Sequence, residues 1–144
     1  MSDLGKTFEE DVGEVLSRAC DKHGYGKRPQ AKVGTTPGGS THLVDWEIWD
    51  SNNHNVRALV SCKYQDSGGT AEEKIPYEVI KLIKAMNDDS RYRFAWLVMG
   101  GDGWNPGLLH YYLTGMNADI PSMVGKVKVV TFNDVFSESL EIPA

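Results

Sequence analysis

An α/β fold, with a mixed central sheet and helices on its faces, is predicted from three features of the sequence. The first is an opening stretch, about Asp3 to His23, in which Phe8, Val12, Val15, Leu16 and Ala19 recur at helical spacing before Gly24 and Gly26 stop it. The second is a pair of short segments, roughly Leu43 to Trp49 and Val56 to Tyr64, where apolar and polar residues alternate on either side of the polar turn Asp50 to Asn55. The third is the order of the remaining patterns: a helical stretch, the apolar run Phe94 to Met99, another short helix and a last strand, Val127 to Thr131.

Taken in order, the opening helix leads to a weakly marked strand at Lys32-Val33 and a loop, Gly34-Thr35-Thr36-Pro37-Gly38-Gly39-Ser40, assigned on composition. The two alternating segments come next, then a second loop, Asp66-Ser67-Gly68-Gly69. Ile75, Val79, Leu82 and Met86 mark the second helix, with Lys81 and Lys84 off its apolar stripe. Its start is open: Thr70 and Glu73 have the spacing of a capping box, whereas Pro76 belongs in a first turn. Glu78 falls about 60° from the centre of the stripe at ~100° per residue, and so at the sheet edge, while Glu73 faces away. Phe94 to Met99 is a fully buried strand, followed by the loop Gly100 to Gly107, a helix through Leu108 to Leu113, the strand Val127 to Thr131, and a terminal turn capped by Asn133-Asp134.

At 144 residues the chain is expected to be one domain, 1–144. A net charge of −5 argues against indiscriminate attraction to nucleic acid, although a local patch decides binding. One basic cluster, Lys22, His23, Lys27, Arg28 and Lys32, is either a solvated helix end or an edge that contacts phosphate. No apolar run is long enough to span a bilayer, so no membrane role is expected. The N-terminus lacks the basic-then-apolar pattern of a signal peptide, and Cys20 and Cys62 match no zinc or redox spacing. A cytoplasmic protein with free thiols is the expectation.

The most informative residues lie on the paired segments. On a regular strand Asp45 and Glu47 share one face, with Val44, Trp46 and Ile48 on the other. On the second strand Leu59, Ser61, Lys63 and Gln65 share a face opposite Val60, Cys62 and Tyr64. Pairing the two brings carboxylates beside a lysine, a combination suited to a hard cation and a phosphate. A structural ion pair between Asp45 and Lys63 is the plainer alternative.

These residues resemble a known family. Gly5-Lys6-Thr7-Phe8-Glu9 is similar to the first-helix motif of the PD-(D/E)xK nuclease superfamily, which includes many type II restriction endonucleases and archaeal-type Holliday-junction resolvases. Val44-Asp45 stands where Pro-Asp is usual, Ser61-Cys62-Lys63 occupies the acid-x-Lys slot, and Gln65 matches a glutamine often found after that lysine. Ser61 departs from the pattern. One branch of restriction endonucleases carries the same Ser-x-Lys with its glutamate relocated to the next helix, and Glu78 is the matching candidate; Glu47, Glu72 and Glu73 compete with it.

The resemblance spans about residues 5–100, the core of such folds, with a further strand and helices over 101–144. It implies a restriction-endonuclease-like fold and a Mg²⁺-dependent DNA endonuclease, with Mn²⁺ as a substitute, that leaves 5′-phosphate and 3′-hydroxyl ends. Asp45, Glu78 and the carbonyl of Cys62 would hold the metal, with Glu47 as a substitute or a supporting acid. Lys63 would orient the attacking water, and Glu9 would hold a water of the ion, with Glu10 as its substitute. Because one site cuts one strand, a double-strand cut implies a homodimer or a partner subunit. The rival reading is a silent nuclease fold that binds DNA or a protein, with Ser61 marking a lost ligand.

Other chemistries fit less well. Cys62 as a nucleophile, with His42, His54 or His110 as base, is disfavoured because its side chain is expected in the core. Gly101-Asp102-Gly103 has its next glycine one place too late for a dinucleotide turn and reads as a plain loop; the family resemblance implies that this loop, with Asp102 and Trp104, lies near any bound nucleic acid. Trp46, Trp49 and Trp96 read as core, and the four histidines are too dispersed for zinc.

Overall fold

The computed structural model describes residues 3–66, 71–137 and 140–143. Its centre is a five-stranded sheet in the order β1-β2-β3-β4-β5: Tyr25–Thr35, Thr41–Asp50, Asn53–Tyr64, Tyr92–Gly100 and Val127–Thr131. The first three strands are antiparallel hairpin neighbours, and β3, β4 and β5 run parallel. Parallel neighbours need crossovers. The first is α2 (Ile75–Asp88), entered through a 3-10 turn at Ala71–Lys74; the second contains α3 (Pro106–Thr114) and α4 (Met116–Asp119).

Alternation along β3 and β4 divides the core in two. Leu59, Ala95, Leu97 and Met99 face α2, α3 and α4, packing with Ile75, Val79, Leu82 and Met86. Ala58, Val60, Cys62, Trp96 and Val98 face the opposite way onto α1 (Asp3–His23), whose Phe8, Val12, Val15, Leu16 and Cys20 are buried, and onto α5 (Phe132–Ser137). The first helix therefore buries the stripe its spacing predicts, and it ends where Gly24 takes the left-handed conformation (φ +72°). No helix among the described residues is long and apolar enough to cross a membrane.

Several expectations are corrected. β1 is a strand of 11 residues rather than a short stretch at Lys32-Val33; only Ala31 and Val33 are buried, so its polar edge character hid it. The second helix begins at Ile75 with Pro76 in its first turn, as proline geometry requires, while Thr70 and residues 67–69 of the preceding loop lie outside the described residues. The turn into α5 is capped by Thr131, whose Oγ1 accepts the Asp134 N–H at 3.2 Å, and not by Asn133-Asp134. Trp46 and Trp49 are half-buried; only Trp96 and Trp104 are buried among the tryptophans.

The correction with consequences concerns β2. Val44 packs on the α2 side, whereas Trp46 and Ile48 pack on the α1 side, and Glu47, paired with Leu59, shares Val44's side. Strict alternation thus fails between Val44 and Trp46, and Asp45 and Glu47 do not share a face. The irregularity is shared with β1, where Gln30, between the pairs Pro29–Trp46 and Ala31–Val44, has φ +50°. Beyond Trp46–Val60 the register of β2 with β3 is not continued. Asp45 is left in the gap.

Candidate active site

The opening between β2 and β3 is a pocket of about 490 Å³ lined from four elements. α1 contributes Gly5, Phe8 and Glu9; β2 contributes Leu43 and Asp45; β3 contributes Ser61, Cys62, Lys63 and Tyr64. From the opposite face of the sheet, Lys74 at the helix entry and Glu78 and Lys81 of α2 complete it. Helices on both faces reach one site because the sheet is split here.

Each carboxylate is held by a different device. Asp45 Oδ2 accepts the backbone N–H of Cys62 at 2.6 Å, a hydrogen bond that substitutes for the ladder contact a regular β2 would supply. Burial raises the Asp45 carboxyl above its ordinary range, against the pull of that N–H and of Lys63. Glu9 is brought alongside by Trp46, whose indole N–H donates to the Glu9 carbonyl at 3.0 Å. Burial and the Asp45 charge push the Glu9 carboxyl up to about 7, close enough for the two acids to share a proton.

Glu78 behaves in the opposite way. Its Oε1 accepts from Ser61 Oγ at 2.7 Å, and its Oε2 lies 2.8 Å from Lys81 Nζ and 3.8 Å from Lys63 Nζ. Burial alone would raise it, but Lys63, Lys81 and Ser61 outweigh that and hold it well below the usual carboxylate range. His42 is buried, with Nε2 4.0 Å from Glu78 Oε1, beyond direct hydrogen-bond reach. Neither of its ring nitrogens has a hydrogen-bond partner among the described residues.

The structure thus brings together Asp45, Glu9, Ser61, Cys62, Lys63 and Glu78. It does not bring Glu47 to them. That side chain is fully buried elsewhere, its Oε1 taken by Arg28 at 2.9 Å and Arg57 at 2.8 Å and its Oε2 by the Tyr92 hydroxyl at 2.5 Å. Arg28 of the basic cluster is therefore committed to an ion pair. Glu72 accepts the Asn105 N–H at 2.8 Å, while Glu73 and Glu10 are exposed. Gln65 lies just past β3 and outside the pocket lining; its Nε2 donates to the Gly103 carbonyl at 2.9 Å. The Cys62 thiol points into the core, where burial pushes it well above its ordinary value, so it is no nucleophile at neutral pH.

The sequence marks Lys81 only as lying off the apolar stripe and His42 only as a base for Cys62, and it does not mark Lys74 as a pocket residue. Lys81 is three residues from Glu78 on a helix, a spacing that puts two side chains together, and that signal was present. His42 is two residues from Val44 on a strand, which marks it as facing the core. Nothing in the local sequence singles out Lys74.

The sequence model of the PD-(D/E)XK nuclease superfamily domain matches residues 2–139, nearly the whole chain. The chain belongs to the PD-(D/E)XK nuclease superfamily. Its five-stranded mixed sheet between helices is consistent with the restriction-endonuclease-like fold. Members of the superfamily are generally nucleases that use divalent metals, so nuclease chemistry on nucleic acid is the activity that membership suggests. Neither the curated proteins nor the solved structures yield a match.

The pocket's donors can be tested against such a metal. No three acid, histidine or cysteine side chains among the described residues already converge as a metal cluster. Mg²⁺, however, needs only one or two carboxylates besides water and phosphate oxygens. Two adjacent carboxyls held above their ordinary values, Asp45 by burial and Glu9 by burial and the Asp45 charge, are a donor set short of positive charge. They fit a hard cation.

Proposed function

We propose that the protein is a Mg²⁺-dependent DNA endonuclease whose site is the split between β2 and β3. The observation that carries this reading is the Ser61–Glu78 hydrogen bond at 2.7 Å. It sets a carboxylate from α2 against the strand position where the superfamily pattern has its acid, beside Lys63. The serine thus acts as a seat for the relocated acid rather than as a gap.

Asp45, the Cys62 carbonyl and Glu78 would hold the ion, with Glu9 reaching its water from α1. When bound, Mg²⁺ grips the phosphate and lowers the pKa of a water. The chain's own groups do the rest. Lys63 orients the attacking water and offsets charge gathering on the phosphoryl oxygens. Lys74 and Lys81 give the pocket an ammonium lining that offsets a negative net charge and attracts the DNA backbone. Water adds to phosphorus as the bond to the 3′ oxygen breaks, which leaves 5′-phosphate and 3′-hydroxyl ends. One such site cuts one strand, so a double-strand cut requires a homodimer or a partner subunit.

The test is nicking of supercoiled plasmid with Mg²⁺ or Mn²⁺, beside a Lys63→Ala control. Wild-type activity lost in the control supports the reading. Equal nicking by both assigns the activity elsewhere, and none by either across duplex, branched and single-stranded DNA leaves a module that only binds. Mn²⁺ titration of Asp45→Asn and Glu78→Gln checks the ligands: each should weaken binding at least tenfold, as loss of a charged metal contact does. A Glu78→Gln protein that binds Mn²⁺ like the wild type would remove the relocated glutamate from the site.

A further inference from the structure

A second cavity, of about 550 Å³, lies beyond the catalytic pocket and shares Phe8 and Tyr64 with it. It opens over the C-terminal ends of β4 and β5, where ligands of open α/β sheets usually bind. Its size is within the roughly 300–1,000 Å³ of small-molecule sites. Tyr64, Phe132, Phe8 and Trp104 give it aromatic walls. Among its polar side chains Thr131 is half-buried and Asp11, Asp102 and Asn133 are exposed; none is a cation, unlike the lysines of the neighbouring pocket.

One wall is fixed in advance. Gln65 clamps the loop after β4: its Nε2 donates to the Gly103 carbonyl and its own carbonyl accepts the Gly103 N–H, both at 2.9 Å, while its N–H donates to the Gly100 carbonyl at 3.1 Å. Trp104 Nε1 donates to the same Gly100 carbonyl at 2.8 Å. Gly101 has φ +85°, and a Cβ there would stand 2.2 Å from the Gln65 carbonyl oxygen, so backbone and glutamine are in close packing.

We infer that this groove is a nucleobase subsite, taking a base unstacked from the DNA strand beside the phosphate bound in the catalytic pocket. The inference rests on the nuclease reading for the position of that phosphate. Aromatic faces stack on any base. Asp11 and Asp102 repel phosphate but accept hydrogen bonds from exocyclic amino groups, and Asn133 can both donate and accept. The strand's charged backbone thus follows the lysines while a base turns into the acid-rimmed groove. Duplex with both strands stacked would have to give up a base to fill it, so the substrate class favoured is DNA with unpaired nucleotides.

The test uses binding without divalent metal, so that nothing is cut. Wild-type protein is titrated with a short single strand and with a fully abasic strand of the same length and charge. The base-bearing strand should bind roughly tenfold more tightly, the scale of one stacked base. In an Asp102→Ala/Asn133→Ala protein, which should melt like the wild type because both residues are exposed, that preference should shrink, while the abasic strand, relieved of one repelling carboxylate, binds no more weakly than before. Phe132→Leu should also reduce it. Equal binding of the two strands by the wild type, or an undiminished preference in the double variant, overturns the subsite. Plasmid that is nicked by a protein indifferent to bases would remove the groove alone; base preference without nicking would remove the catalytic reading alone.

Discussion

Glu47→Gln separates Glu47 from Asp45 on β2, because the structure gives Glu47 a role in stability and none in the pocket. Its carboxylate is fully buried and answers Arg28, Arg57 and the Tyr92 hydroxyl. Removing one partner from such a cluster typically costs ~3–5 kcal/mol, because the charges left behind are uncompensated. Arg28 is 55% exposed and can rehydrate, whereas Arg57, at 16%, cannot do so fully. The lower end, about 3 kcal/mol, is therefore expected. For a chain of this size, at roughly 3–4 °C per kcal/mol, that is a fall of about 10 °C in Tm. Thermal unfolding by circular dichroism measures it, and a Mn²⁺ titration of the same protein well below its Tm should match the wild type. An unchanged Tm, or weakened Mn²⁺ binding by the folded variant, would refute the separation of Glu47 from the site.

Two further outcomes are expected from the geometry on the α1 side. The Glu9 carboxyl goes from 4.5 unfolded to about 7 folded, so the stability it lends as an acid is full below pH 4.5 and lost as pH rises through 7. The Tm of metal-free Glu9→Gln should therefore gain on the wild type across that window, and a difference constant with pH, or moving the other way, counts against the Glu9–Asp45 contact. At Gly13 an added Cβ would stand 2.3 Å from the Trp46 ring, so Gly13→Ala should destabilise by about 1–3 kcal/mol, read from urea unfolding. By shifting the indole that holds Glu9, it should also weaken Mn²⁺ binding; wild-type stability and affinity would show that α1 and β2 are not closely packed there.

The parts of the fold legible in the sequence are those whose burial matches a simple period. Phe8, Val12, Val15 and Leu16 mark α1, and the apolar run of β4 needs no partner to be read as a buried strand. β1 was nearly invisible because an edge strand with Lys27, Arg28 and Lys32 buries only alternate small residues. α4 was missed because its four residues are too few to set up a period. Within the site, Ser61 and Lys63 were correctly placed on one face of β3, since that strand keeps strict alternation. Asp45 and Glu47 were misplaced relative to each other for the opposite reason: the break at Gln30 and Asp45 is a property of two paired strands, and neither strand's own pattern carries it.

That break also explains why the same few residues serve both fold and site. A regular β2 would continue its ladder with β3, cover the Cys62 N–H and put Asp45 and Glu47 on the same face of the sheet. The slip instead turns Asp45 into the partner of that N–H and keeps Glu47 in the α2-side core, where two arginines and a tyrosine neutralise it. The opened edge then admits Glu9 from one face and Glu78 from the other. A glutamate in place of Ser61 would occupy the space that Glu78 now fills, so the small hydroxyl and the helix carboxylate are a matched pair. Exchanging their positions, as Ser61→Glu with Glu78→Ser, preserves the charge of the pocket. It should restore Mn²⁺ binding that Glu78→Ser alone loses; failure of the exchange in a folded protein would mean that Glu78 acts from α2 through Lys81 and not through the place it fills beside Lys63.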